Sequence, residues 1–302
     1  MSLQFVVDGL LSGSMIGLGA IGVTLTYSIL RFSNFAHGDF MAWGSYATLA
    51  VVGAIGAMFG KLAPIGSLSF GWPLIVALVI GMAFTALLAL LLDLVLFSRL
   101  RKQGQAIIVV MASFGASMAL RSLLEFTFTS RPTYFSRAIQ IAMPVGLGIR
   151  ITPDQIALLL LTALLVTGVH LLITRTQTGR TMQALSQNAA LARVVGIDVA
   201  KVVRVTWIIG GGLACVAGVM IGILIQIRPF MGFDMLLPMF AAAILGGIGS
   251  VPGAVLGGLI IGLAEAGAVQ LIGAEWRAAV SFIILMAVLF VRPIGLFGVR
   301  ER

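Results

Sequence analysis

Long apolar runs separated by short polar interruptions occupy almost the whole chain. They cover residues 5–30, 35–59, 73–97, 106–125, 154–173, 205–227, 237–272 and 277–296. About 20 apolar helical residues cross the ~30 Å hydrocarbon core of a bilayer, so each run reads as a membrane span. The run 237–272 is too long for one helix, and Gly246-Gly247-Ile248-Gly249-Ser250-Val251-Pro252-Gly253 breaks it near its middle. That pattern predicts a helical hairpin or broken pair, because non-helical backbone at membrane depth survives only when buried in protein or lining a watery cavity. The expected fold is all-α: one polytopic bundle over residues 1–302, with about eight to ten membrane segments and broken or re-entrant elements.

The first polar interruption is the most unusual. Arg31-Phe32-Ser33-Asn34-Phe35-Ala36-His37-Gly38-Asp39-Phe40 packs Arg31, Asn34, His37 and Asp39 into nine residues between two apolar runs. Two readings are open. Breaks of this kind mark the working site in many transporters. Alternatively the stretch is an interfacial turn, with Asn34 capping the next helix and Asp39 facing that helix's positive end.

Other polar positions inside the runs are few. Arg121 and Glu125 stand four apart and can pair on one helix face. Asp93, near the end of its run, reaches the interface, and His170 in the last turn of another reads as interfacial. Glu265 lies in apolar surroundings. A carboxylate deep in lipid costs about 2.5–3.5 kcal/mol even on lenient scales, so Glu265 must face protein or water. Gly9, Gly13 and Gly17 recur every fourth residue, as do the pairs Gly253/Gly257 and Gly258/Gly262. Such stripes let helices approach closely.

Residues 175–204 form the most informative polar segment. Asn188 caps a short helix through Val195, Gly196 suits the left-handed position that ends it, and Asp198 caps the helix that follows. Met182, Leu185, Ala189 and Ala192 follow helical spacing, so short amphipathic helices lie across the membrane face. Residues 126–153 are the longest non-apolar stretch and read as a loop at the opposite face.

Charge sets the orientation. The chain of 302 residues is 60% hydrophobic and 10% charged, with a net charge of +9. The basic residues form no patch with interleaved aromatics, which excludes a nucleic-acid surface. Twelve of them fall on one side of the bundle (Arg31, Arg99, Arg101, Lys102 and the bases of 175–204 among them), and six on the other, including Lys61, Arg131, Arg137, Arg150 and Arg228. The richer side is cytoplasmic. The amino terminus is then outside and the carboxyl terminus inside, with about nine crossings if the hairpin counts as two. No basic stretch precedes the first run, which reads as a retained helix rather than a cleaved signal. The lone cysteine, Cys215, has no partner for a disulfide and packs as a small residue.

Several chemistries are excluded. There is no G-x-x-x-x-G-K-[ST] phosphate loop, no H-E-x-x-H zinc motif among two histidines, and no serine in a G-x-S-x-G setting. Gly17-Leu18-Gly19-Ala20-Ile21-Gly22 matches a dinucleotide fingerprint by letter, but no βαβ unit surrounds it. No enzyme, metal site or cofactor is expected. An ion-coupled carrier would need paired ionisable groups at mid-membrane, and Glu265 is the one isolated candidate. A conduit driven by something else fits better.

Three stretches carry a family resemblance. They are the Gly-rich first span running into Asn34-Phe35-Ala36-His37-Gly38-Asp39, the segment Thr178-Gly179-Arg180 through Val195-Gly196-Ile197-Asp198, and Ala243 through Gly246-Gly247-Ile248-Gly249-Ser250-Val251-Pro252-Gly253-Ala254. In this order they resemble the LivH-type permeases of branched-chain amino acid ABC importers. The resemblance implies an inner-membrane permease subunit working beside a second, similar permease, two cytoplasmic ATPases and a periplasmic solute-binding protein. Polar groups and flexible backbone at membrane depth are tolerated only beside protein or water, so Asn34, His37, Gly38, Asp39, Gly246, Gly247, Gly249, Pro252, Gly253 and Glu265 are expected to line or gate the path. Gly179, Arg180, Asn188, Gly196 and Asp198 would belong to the ATPase-coupling segment. The same family includes importers of urea and short amides, so the solute does not follow from the fold.

Overall fold

A computed structural model describes residues 3–60, 63–102, 104–136, 140–146, 148–292 and 294–298. Lys61, Arg137, Arg300 and Arg302, counted above for orientation, lie outside the described residues. The chain is helical nearly throughout. Helices α1 (Gln4–Leu30), α2 (His37–Phe59) and α3 (Trp72–Leu92) come first. A π-helical turn, Asp93–Phe97, joins α3 to the short α4 (Ser98–Arg101), and α5 (Ala106–Phe128) follows. A two-stranded antiparallel hairpin, β1 (Met143–Gly146) and β2 (Ile149–Ile151), interrupts the 126–153 loop, where the sequence showed only a loop. The rest is α6 (Pro153–Arg175), α7 (Gln177–Gln187), α8 (Ala189–Val194), α9 (Val199–Leu224), α10 (Met231–Gly246), α11 (Val251–Ile272) and α12 (Arg277–Val291).

Among the described residues, eight helical segments are long and apolar enough to cross a membrane, and α10 is a ninth, shorter apolar helix of 16 residues. At 1.5 Å per residue α10 is only about 24 Å long. The 237–272 run is therefore two helices with a turn at 247–250. Loops sort to two ends. Residues 31–32, 104–105, the α7–α8 segment and 247–250 gather at one end, where Arg31, Arg101, Lys102 and Arg193 share a groove of about 590 Å³. The other end holds 129–136, tied to the 225–230 turn by mutual Thr133 and Ile227 backbone hydrogen bonds of 2.9 and 2.8 Å. Asp154 at that end accepts from the Ser69 and Gln140 nitrogens, both at 2.9 Å, pinning the α2–α3 loop to the hairpin region.

Two helices form the core. In α1 every residue from Gly13 to Thr26 is buried, and in α9 every residue from Gly210 to Gly222. A helix apolar on all sides must be surrounded, and these two are. By contrast α3, α5, α6 and α12 turn large apolar side chains such as Val79, Met118, Leu164 and Phe290 outward, as lipid-facing helices must. The glycine stripes seen in the sequence face each other. A Cβ on Gly258 would lie 2.5 Å from the Gly17 Cα, and one on Gly262 would lie 2.3 Å from the Gly13 nitrogen. Backbone-to-backbone contact of this kind is open to glycine alone.

Candidate functional site

The chain from Arg31 to Ala36 does not stay at the membrane face. His37 opens α2, and its ring Nε2 lies 3.1 Å from the Gly19 carbonyl, eleven residues before the end of α1. At 1.5 Å per residue that is roughly 16 Å into the bundle, about half of the hydrocarbon core. Asp39 meets Ser117, eleven residues into α5, at a similar depth. Helix α2 therefore starts near mid-membrane, and the six residues before it form a non-helical strand running inward.

Backbone at that depth needs partners, and a hydroxyl on α5 supplies them. Ser113 Oγ accepts from the Phe35 N–H at 3.1 Å and donates to the Val110 carbonyl of its own helix at 2.7 Å, with the Ser33 carbonyl 3.4 Å away. Asn34 Oδ1 accepts from the Ala36 N–H at 3.1 Å, so Asn34 closes the turn just before the helix rather than capping the helix proper. Asn34 Nδ2 is buried with no protein partner. A buried donor left unpaired costs on the order of 1–3 kcal/mol, so such groups are worth explaining.

Asp39 corrects one expectation. Its carboxylate does not simply face the start of its own helix; it accepts from Ser117 Oγ and pairs with Arg121 Nε at 3.4 Å. Arg121 consequently does not pair with Glu125. An exposed i,i+4 pair is worth a few tenths of a kcal/mol, whereas an unpaired buried carboxylate costs several, so the guanidinium turns inward. Arg121 Nη2 also donates to Ser117 Oγ at 3.2 Å. The guanidinium lies 4.9 and 4.3 Å from the ring centroids of Phe230 and Phe233 at the start of α10. The starts of α2 and α10 touch backbone to backbone, for a Cβ on Gly232 would sit 1.8 Å from the Gly38 carbonyl oxygen.

The second break packs on the same helix. Gly247 (φ +94°) and Gly249 (φ +92°) turn the chain between α10 and α11. Ser250 caps α11 through the Gly253 N–H at 3.1 Å, and Pro252 fits its first turn. The Gly249 N–H donates to Thr24 Oγ1 of α1 at 2.7 Å, five residues along from the His37 contact at Gly19. The carboxyl-terminal segment closes the turn: the Leu296 and Phe297 N–H groups donate to the Leu245 and Gly246 carbonyls at 2.8 and 3.1 Å. Gly246 packs directly on Gly253.

Two cavities lie at opposite ends, and the second break borders one of them. Gly249 and Pro252, with Ser28, Arg31, His170 and Gln183, line one of about 670 Å³ at the basic end. His170 thus faces a cavity rather than the interface alone. At the other end Glu125, Arg228, Phe230 and Asp234 line a vestibule of about 430 Å³. The buried layer of His37, Asp39, Ser117 and Arg121 lies between them. Glu265 stands apart. It accepts from Arg277 Nε at 2.9 Å and from Ser281 Oγ, and Arg277 also donates to Ser12 at 3.0 Å. It is fourteen residues from the start of α11, about 21 Å from the turn.

At the basic end the short helices appear as the sequence suggests. Asn188 Oδ1 accepts from the Ala190 and Leu191 N–H groups, Gly196 is left-handed at φ +85°, and Asp198 accepts from the Lys201 N–H at 3.0 Å. Met182, Leu185 and Ala192 are buried, but Ala189 is exposed. Gly179 rests on the Ile173 carbonyl, and Arg180 is exposed. Leu191, Val194 and Val195 point into solvent, with Val194 83% exposed. Asp93, expected at the interface, pairs with Arg101 at 2.6 Å.

The sequence reading missed Thr176, which caps α7, and the Thr152–Gln155 capping box of α6. It also missed Ser113, Ser117 and Arg121 as partners of the first break. A signal for them exists: the three recur every fourth residue along an otherwise apolar helix.

Comparison with known proteins agrees with this architecture. The chain is 32% identical over 305 residues to the high-affinity branched-chain amino acid transport system permease protein LivH of Escherichia coli (strain K12), covering 99% of this chain and 96% of the relative. It is 32% identical over 309 residues to the corresponding protein BraD of Pseudomonas aeruginosa, at the same coverage. It is 27% identical over 312 residues to the probable permease LivH of Methanocaldococcus jannaschii. Among solved structures, PsaBC from Streptococcus pneumoniae in complex with Fab aligns over 96% of this chain and 93% of that one at 15% identity and a TM-score of 0.48, too low a likeness to bear on function. A family model described as branched-chain amino acid transport system / permease component matches residues 5–289, and the chain belongs to that family of multi-pass inner-membrane transport permeases.

Proposed function

We propose that this chain forms the translocation path for branched-chain or other small amino acids in an ABC importer. A periplasmic binding protein delivers the solute, two separate cytoplasmic ATPases drive the cycle, and a second homologous permease completes the path. The observation that carries this reading is the buried polar layer at mid-depth, built on a broken helix and placed between two cavities at opposite ends. Charged groups at that depth are functional by default, and a helix that starts mid-membrane can move without unravelling a full span.

In this reading Asn34, His37, Gly38 and Asp39 form the gate, and the Gly246–Gly253 turn lines the inner exit. The 175–204 segment docks the ATPase, with Leu191, Val194 and Val195 as the apolar contact and the cap residues Asn188 and Asp198 holding the joint rigid. Residues 126–153 and 227–237 receive the binding protein; exposed Arg131, Arg150 and Arg228 there would set on-rate and salt sensitivity more than affinity.

The test is reconstitution into proteoliposomes with and without partner subunits. ATP-dependent uptake of labelled leucine only in the full assembly supports the reading. Uptake by this chain alone, abolished by a protonophore, would replace it with an ion-coupled carrier using Glu265. Uptake of urea but not leucine by the full assembly would reassign the solute.

A further inference from the structure

We propose that the groove at the basic end of the bundle binds the phosphate headgroup of an anionic phospholipid. The occupant is a lipid of the surrounding leaflet, whatever solute the path carries.

Three observations point to the site. First, cations from three separate parts of the chain converge there. Arg31 follows α1, Arg101 ends α4 with Lys102 next to it, and Arg193 lies on α8. All four line one groove of about 590 Å³, and among the described residues no carboxylate lines it. That volume falls within the ~300–1,000 Å³ usual for ligand pockets. The positive-inside bias accounts for basic residues at this end. It does not account for four of them sharing one concavity with no acid between them.

Second, their donors are largely unused. Arg101 Nη2 pairs with Asp93 at 2.6 Å, but its Nη1 is buried without a partner. Arg31 spends one Nη on the Ser186 carbonyl. Among the described residues Lys102 and Arg193 make no ion pair. Guanidinium forks match phosphate oxygens bidentately, and a lysine adds a point charge.

Third, the lining is amphipathic. Leu30, Phe32, Val109 and Val203 line the same groove. A free phosphate gains nothing from such a wall, whereas the glycerol and first acyl carbons of a lipid would be covered by it. The wall leads on to the bilayer: Ala106 lines the groove, and the next residue, Ile107 on lipid-facing α5, is 61% exposed.

Helix α8 divides its surface between this site and the docking face. Ala189 and Arg193, four apart and so on one face, line the groove, while Leu191, Val194 and Val195 do not and are exposed. A phosphate held between Lys102 and Arg193 would tie the docking segment to the α4–α5 turn. Clusters of basic side chains between helices at a membrane face recognise anionic headgroups in this way.

The experiment measures retention of labelled phosphatidylglycerol and phosphatidylcholine by the purified full chain in detergent micelles. The proteins are wild type, Lys102→Gln/Arg193→Gln and the control Arg175→Gln/Lys201→Gln. All four substituted residues are exposed, and the two control positions lie outside the groove. Wild type should retain phosphatidylglycerol saturably and in preference to phosphatidylcholine. The groove variant should hold it about 30-fold more weakly, from the loss of two cations beside one phosphate. The control should hold it as wild type does, and millimolar inorganic phosphate should not displace it. Equal retention of the two lipids, or an equal loss in the control, means diffuse attraction to a basic face and overturns the site. Displacement by inorganic phosphate makes the groove a site for a free anion and overturns the lipid. Wild-type lipid retention by the groove variant overturns the proposal too, and failed co-purification of the ATPase with that variant would then make the groove a protein contact.

Discussion

Replacing Gly258 by alanine tests the seam on which both broken elements rest. The added Cβ would lie 2.5 Å from the Gly17 Cα, 2.6 Å from the Gly17 nitrogen and 2.8 Å from the Gly13 carbonyl oxygen. Ordinary carbon contacts are about 3.5–4.0 Å, so α11 and α1 must separate by roughly 1 Å. Every atom met is backbone, so no rotamer change relieves the overlap. Overpacking of this kind costs about 1–3 kcal/mol. Alanine recovers up to about 1 kcal/mol of that through its better helix propensity, leaving a net loss near 1–2 kcal/mol. Gly262→Ala meets the Gly13 nitrogen at 2.3 Å and is expected to cost at least as much. The double variant should cost less than the sum, since one separation of the helices accommodates both methyl groups. Gly267→Ala on the same helix is the control: its Cβ meets nothing within 4 Å, and propensity alone predicts no loss, or a gain of up to about 1 kcal/mol. Equilibrium unfolding of the purified protein in detergent micelles reads all four. Equal stability of Gly258→Ala and Gly267→Ala would refute the close-packed seam.

Three further outcomes are expected. His37→Ala removes the ring that bridges α2 to the Gly19 carbonyl and leaves a cavity beside Gly22; uptake per assembled transporter should fall with little change in apparent affinity, and normal uptake per molecule in both this variant and Asp39→Asn would sink the gate assignment. Leu191→Asp places a charge on the exposed apolar face of α8; the protein should insert at normal yield while ATP hydrolysis uncouples from uptake, which co-purification of the ATPase with wild-type stoichiometry and normal transport would disprove. Ser136→Cys should react with a membrane-impermeant maleimide added outside and Ala190→Cys only when it is added inside; the opposite pattern reverses the topology.

The legible parts of the site are those that depend on neighbours in the chain. The caps at Asn188 and Asp198 and the left-handed Gly196 join groups within three residues of each other. The turn at 247–250 is written in Gly247, Gly249 and Pro252. The partner of Asp39 was not legible. Sequence spacing offered Arg121 a carboxylate four residues away at Glu125, and the inward choice depends on α2 and α5 lying side by side, with the 31–36 segment bent into the bundle to bring Asp39 within reach.

By itself the sequence determined a polytopic helical membrane protein, the glycine faces and the positions of both breaks. Those follow from transfer free energy, helix length and local backbone chemistry, all of which act along the chain. Only the tertiary structure decided which faces meet: Gly13 and Gly17 against Gly258 and Gly262, His37 under Gly19, and Arg121 between Asp39 and two phenylalanines. In hydrocarbon the tails are as apolar as the helices, so hydrophobicity chooses no partner. Close packing and the need to satisfy buried polar groups do, and both are properties of three-dimensional neighbours, here residues as far apart as Thr24 and Gly249.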